Sequence, residues 1–235
     1  MSRPTTKGMM EIKLTNLPQV VKQLQGIQKG GEEAIERTVK DFRGRAPAWV
    51  SRAVRKYYGI PAKEISPKTK KDVENKVKKA GQIYSRGKTL STMAIVYYGR
   101  VLTPARFNMQ PKLPNKTYSI KVTIQKGRRR RLGGKKALTK AQKTNIGRNF
   151  THQGKRNRRK YPILLKYTGA KGEGKIPYIP MRLLPNDKWH VIRSVSLPQM
   201  VENKRVQEEI YKEVDANLSK RLEHHIEKCI NKYAK

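Results

Sequence analysis

Seven apolar residues near the C-terminus, Val206, Ile210, Val214, Leu218, Leu222, Ile226 and Ile230, stand four positions apart. Apolar side chains that recur every three or four residues share one face of an α-helix, so the pattern predicts a helix over about residues 201–233, introduced by Pro198. A strict spacing of four overshoots the 3.6-residue turn by about 40° per step. The stripe therefore winds around its helix, with Tyr211, His225 and Cys229 filling in behind it. One flat sheet face cannot follow a stripe that rotates along its whole length. The expectation is that one end of this helix packs on its own domain and the other on a neighbouring subunit.

The remaining chain mixes both periodicities. Residues 10–15 alternate apolar and polar and read as a short strand. Asn16 caps a helix with Pro18 in its first turn and Val20, Val21, Leu24 and Ile27 on one face, stopped by Gly30-Gly31. A second helix starts near Glu32 and carries Ala34, Ile35, Val39, Phe42, Ala46, Val50 and Val54 up to Gly59, with Pro47 bending or splitting it. Residues 65–80 are lysine-rich and read as a surface helix or an extended connector. Strands are expected at 90–98, 118–124, 161–168 and 189–195, with the prolines at 104, 111 and 114 marking loop. The fold class is then α+β: a mainly antiparallel sheet with N-terminal helices, a long C-terminal helix and an extended basic arm. The segments are 1–80, 81–200 with the arm at 126–160, and 201–235, integrated into one domain.

Charge is distributed unevenly. Residues 75–172 contain no Asp or Glu and 27 Lys and Arg, against a net charge of +38 for the chain. Residues 126–160 hold 15 of those 27, and their large apolar residues are few (Leu132, Leu138, Ile146, Phe150). Such an arm cannot bury enough surface to offset its ordering entropy and is expected to need a partner. Like charges oppose compaction, so the partner is negative. Nucleic acid comes first, an anionic membrane surface second and the acidic face of a neighbouring subunit third. The candidate contacts are Arg128, Arg129, Arg130, Arg131, Lys135, Lys136, Arg156, Arg158, Arg159 and Lys160. Aromatic residues are sparse in this arm, and no helix-turn-helix, zinc-finger or RNP pattern is present. Contact with nucleic acid would run through phosphates, independent of sequence and sensitive to salt.

Other chemistries find little support. A single cysteine, Cys229, excludes an intramolecular disulfide and fits a reducing compartment. The first residues lack an apolar core of the secretory kind, and there is no run of about 18 apolar residues, so a soluble protein made in the cytoplasm is expected. Gly169 to Lys175 matches the GxxxxGK spacing, but Ile176 replaces the metal-binding hydroxyl and Pro177 and Pro180 forbid the following helix. That segment reads as a glycine-rich turn between two strands. His225 and Cys229 stand at i, i+4 beside His224, a spacing zinc accepts, yet no second cysteine exists and His152 and His190 lie elsewhere. A packed cysteine beside a polar-edge histidine is the simpler reading. Paired carboxylates, HExxH and nucleophile elbows are absent, so no catalytic residue, metal or cofactor is expected.

Three segments resemble one family. Tyr97-Tyr-Gly-Arg-Val-Leu-Thr-Pro-Ala-Arg-Phe107 with Pro111-Lys112 resembles the "GR-LTP-F--PK" block of phage minor tail proteins. Tyr118-Ser-Ile-Lys-Val-Thr-Ile124, followed by Gln-Lys-Gly127-Arg128, is similar to the strand that comes next. Ser194-Val-Ser-Leu-Pro-Gln-Met200-Val-Glu-Asn203 and, later, Arg221-Leu-Glu-His-His225 resemble the closing "SVPQM--N" and "RLEHH" blocks. The family is prophage minor tail protein Z, also called tail completion protein. The resemblance implies a structural virion protein of the tail or neck, made in the bacterial host cytoplasm and acting in head–tail joining. It implies a ring, with six copies as the expected number. The partners would be further copies of itself, neighbouring tail-terminator, tail-tube or head-completion proteins, and double-stranded genomic DNA, with no membrane. Pro198, Gln199, Met200, Leu222, His225 and Ile226 are the candidate assembly-interface residues. The alternatives are a free, sequence-independent nucleic-acid-binding protein, ribosome-associated or chromatin-like, and an assembly chaperone absent from the finished particle.

Overall fold

The computed structural model describes residues 5–12, 28–66, 74, 81–113, 120–132, 162–166 and 178–233. It is an α+β fold of antiparallel sheets and two long helices. The strands are β1 (Thr5–Glu11), β2 (Gly81–Arg86), β3 (Ala94–Arg100), β4 (Lys121–Gln125), β5 (Arg128–Arg131), β6 (Ile163–Lys166), β7 (Tyr178–Leu183) and β8 (Trp189–Val191). The helices are α1 (Gln28–Tyr57), α2 (Ala62–Ile65), α3 (Leu197–Val201) and α4 (Lys204–Tyr233).

The winding stripe is covered by a helix. Ion pairs join Lys56 to Glu209, Arg52 to Glu213 (3.3 Å) and Lys232 to Glu33 (3.1 Å), and His225 Nε2 lies 3.2 Å from Asp41 Oδ2, so α1 and α4 run antiparallel over almost their full lengths. Exposed pairs of this kind are worth about 0–1 kcal/mol each, so the ladder fixes orientation more than it stabilises. Stability comes from the seam. Phe42, Ala46, Val50, Ala53 and Val54 of α1, like Val206, Ile210, Val214 and Leu218 of α4, are fully buried, and burying a Val, Leu or Ile side chain contributes about 1.5–3 kcal/mol. Further on the drift takes effect: Cys229 is buried, Ile226 is half-buried and Ile230 is 41% exposed. Both ends of α4 lie on α1 within the chain, at Lys56 with Glu209 and at Lys232 with Glu33.

Helix α1 bears on two expectations. It runs through Gly30 and Gly31, both buried, where a stop was expected. Glycine costs about 1 kcal/mol in a helix, and the packing of α1 on α4 outweighs that local preference. Nor does Pro47 split it. Proline removes the bond that residue 47 would donate to the carbonyl of Arg43, and the Ser85 hydroxyl of β2 donates to that carbonyl instead, at 2.7 Å. The helix expected over residues 16–27 and the connector at 67–80 (apart from position 74) lie outside the described residues.

Among the described residues, the single sheet expected over 90–197 is replaced by three small ones, ordered β1-β3-β2, β4-β5 and β6-β7-β8, every pairing antiparallel. The 3-10 turn Pro104–Arg106 and Pro111 turn the chain away after β3, which separates the first two sheets. Isolated bridges, Val101 to Ser196, Tyr58 to Gln125 and Gln110 to Lys121, stitch the pieces together. The strand expected at 10–15 is β1, at 5–11, with the Ile12 amide donating to Met93 at 3.0 Å. That expected at 90–98 begins as a 3-10 turn, Leu90–Thr92, because the Thr92 hydroxyl accepts from the amides of Lys88 and Thr89. Strand β8 stops at Val191, short of 195.

Strands β2, β5 and β7 were not anticipated. The central strand β7 contains Pro180, a residue usually confined to edges. The Pro180 carbonyl accepts from Ile192 (3.0 Å), just beyond the last β7–β8 pair, Met181 with Val191, so its missing N–H removes a bond only at the end of that ladder. The helix expected from 201 is divided. Ser196 and Gln199 form a capping box for α3, and Asn203 Oδ1 accepts from the Arg205 amide (3.2 Å) to restart the chain as α4.

Candidate polyanion-binding surface

Strand β4 is held from inside. Val122 is fully buried and Ile120 nearly so; Thr123 donates to Phe107 (3.1 Å), Gly59 donates to Ile124 (2.9 Å) and Lys126 donates to Tyr57 (2.8 Å). At Gly59 a β-carbon would stand 2.1 Å from the Thr123 carbonyl oxygen, so only glycine lets the end of α1 approach β4 this closely. The chain reverses at Gly127, whose φ of +77° suits glycine. It returns as β5, four consecutive arginines, all exposed.

Arg128–Arg131 were expected in an arm too polar to fold alone, and that expectation is corrected. Their backbone pairs with β4 while their side chains remain in water, so the strand forms without desolvating a charge. The register sets Lys121 opposite Arg131 and Val122 opposite Arg130. Alternation then places Lys121, Arg129 and Arg131 on one face and Arg128 and Arg130 on the other. Gln110 joins the first face, exchanging two backbone hydrogen bonds of 2.8 Å with Lys121 and accepting from the Arg129 guanidinium through Oε1. Lys121 and Gln110 were not read as site residues; only strand register brings them here.

Among the described residues, no carboxylate pairs with Lys121, Lys126 or Arg128–Arg131. The ion pairs sit along the α1–α4 seam and at Arg106 with Glu64. The hydrogen bond to Glu209 holds the Lys56 ammonium above its ordinary pKa, even at the surface. Acids and bases compensate on the helices, and among the described residues the hairpin stays uncompensated. Lys135, Lys136, Arg156, Arg158, Arg159 and Lys160 lie outside the described residues.

The assembly candidates have partners within the chain. Met200 is fully buried, Leu222 is nearly so, Pro198 is buried in α3, and exposed Gln199 is held by its capping box with Ser196. His225 Nε2 lies 3.2 Å from Asp41 Oδ2, while Asp41 also reaches Arg45 and Arg221, each at 3.6 Å. Only Ile226 and Gln199 keep appreciable exposed surface among the six, and the His225 side chain is 12% exposed.

Among the described residues, no group of three or more His, Cys, Asp and Glu is arranged to hold a metal ion, and no helix is long and apolar enough to cross a membrane. A surface depression lined by Met9, Met10, Glu11, Gln207 and Tyr211 offers a carboxylate and a phenol but no nucleophile–base pair. Comparison with family models, with curated proteins and with solved structures gives no match.

Proposed function

We propose that this chain is a structural phage virion protein that completes the head-proximal end of the tail, or the neck, and enables head–tail joining. In this reading it works as a ring, expected to be hexameric, against tail-terminator, tail-tube or head-completion proteins, with sequence-independent contact to genomic DNA. Its role is mechanical and not catalytic.

The observation that carries the reading is the ordered set of three sequence blocks, whose residues also occupy decisive places in the fold. From the first block, Tyr97 and Phe107 are buried and Arg106 pairs with Glu64; from the last, Ser196 caps α3 and Arg221 and His225 meet Asp41. The acid-free hairpin supports the DNA contact. A ring multiplies its charge around one axis, and that concentration calls for an internal polyanion.

Mass spectrometry of purified particles tests the reading, together with deletion of the gene. The expected result is the chain in joined particles, and separate heads and tails when it is deleted. Joining lost with no copy in the particle would favour the chaperone, and intact joining would favour the free nucleic-acid-binding protein.

A further inference from the structure

We infer that the face formed by Lys121, Arg129 and Arg131 is a clamp for the phosphodiester backbone of duplex nucleic acid, with Gln110 as its positioning residue. The inference rests on the proposed DNA contact and narrows it to one face of one hairpin.

Directly opposed residues of an antiparallel pair hold their Cβ atoms about 4.5–5.5 Å apart, and like charges there are destabilising. Lys121 and Arg131 are such a pair, and Arg129 joins them two residues, about 6.8 Å, along the strand. Three cations therefore converge where no described carboxylate relieves them. An oxyanion between them converts the repulsion into charge-assisted hydrogen bonds. Arg129 is oriented by the amide oxygen of Gln110, a neutral acceptor, so its charge stays available. By contrast Arg106 and Arg221, elsewhere in the fold, are oriented by carboxylates.

The geometry favours a duplex over a single strand. Single-strand binding relies on bases stacking on exposed rings, and no residue of β4, the turn or β5 is aromatic. A duplex displays its phosphates outward and asks only for charge. The competing explanation is that an arginine-rich edge strand merely blocks edge-to-edge aggregation. That role makes the two faces of β5 equivalent and gives Gln110 no part.

The test is fluorescence anisotropy of the full chain with a labelled 20-base-pair duplex, and with one of its strands, across a salt series. Neutralising three phosphate contacts in K121Q/R129Q/R131Q should lower the slope of log K against log salt by about 2.7. The charge-retaining R129K/R131K should keep the slope, R128Q/R130Q should change it less than the triple variant, and Gln110→Ala should weaken duplex binding without altering the folded circular-dichroism spectrum. Equal losses from the two faces, preference for the single strand, or preference for polyglutamate over the duplex would overturn the inference. Particle composition is measured separately, so a chain that binds duplex but is missing from particles would sink the virion reading and leave the clamp standing.

Discussion

The hydroxyl of Ser85 donates to the carbonyl of Arg43 at 2.7 Å, supplying the partner that Pro47 denies to helix α1. A side chain 42 residues further along the chain thus satisfies a backbone group freed inside a helix. Pro47→Ala should restore the helical N–H and remove the ring's clash, a gain of up to about 3 kcal/mol. Ser85→Ala should cost about 1 kcal/mol while Pro47 is retained. The two substitutions should couple: in the Pro47→Ala background, the Ser85→Ala cost should shrink. Urea unfolding of the four proteins measures the cycle, and strict additivity would separate Ser85 from Pro47.

Two glycines on either side of this region should respond in opposite directions. Gly44 is exposed within α1 with nothing within 4 Å of an added β-carbon, so Gly44→Ala should stabilise by about 0.5–1 kcal/mol. Gly59→Ala places a methyl group against the Thr123 backbone and should destabilise by about 2–3 kcal/mol. Thermal melts of the two variants should shift in opposite senses.

The drifting stripe of α4 makes a graded prediction. Ile210 is fully buried and Ile230 is 41% exposed. Ile210→Ala should cost about 2–5 kcal/mol, while Ile230→Ala should stay within about 0.5 kcal/mol of wild type. Chemical denaturation reads both, and equal costs would place Ile230 in a buried contact.

Alkali should weaken the fold through two phenols. Burial raises the Tyr58 pKa above its ordinary value near 10, against a hydrogen bond with Asn203; burial also raises Tyr97, aided by the nearby Glu202 and Tyr211. Above pH 10 the unfolded chain releases these protons first and binds fewer than the native state, so stability falls as pH rises. The contribution is complete below the unfolded value near 10 and is lost as pH climbs through the raised folded values. Tyr58→Phe and Tyr97→Phe should each flatten the decline in unfolding free energy between about pH 9 and 11, where loss of lysine charge acts on all variants alike.

These elements also show what the sequence could and could not convey. Helix α4 was legible because its periodicity is written in its own residues, and the stripe's drift correctly indicated that a sheet would not cover it. That α1 covers both ends is a tertiary fact, carried by charge pairs such as Lys56 with Glu209 that only make sense once two distant segments lie antiparallel. That Pro47 does not split α1 is tertiary for the same reason: the rule for proline is local and Ser85 is not. Strand β5 was invisible as a strand because alternation of apolar and polar residues cannot mark four arginines with both faces wet. Arg128–Arg131 were still found as site candidates from charge alone. Lys121 and Gln110 were not, since only the β4–β5 register and the bridge at Gln110 bring them to that face.

The most direct test of the central proposal is a reconstruction of the assembled particle at side-chain resolution. The account predicts a closed ring of this chain at the head-proximal end of the tail or in the neck, with β5 facing the channel and DNA density beside Arg129 and Arg131. A particle without the chain, or a ring whose β5 strands face outward to solvent, would contradict it.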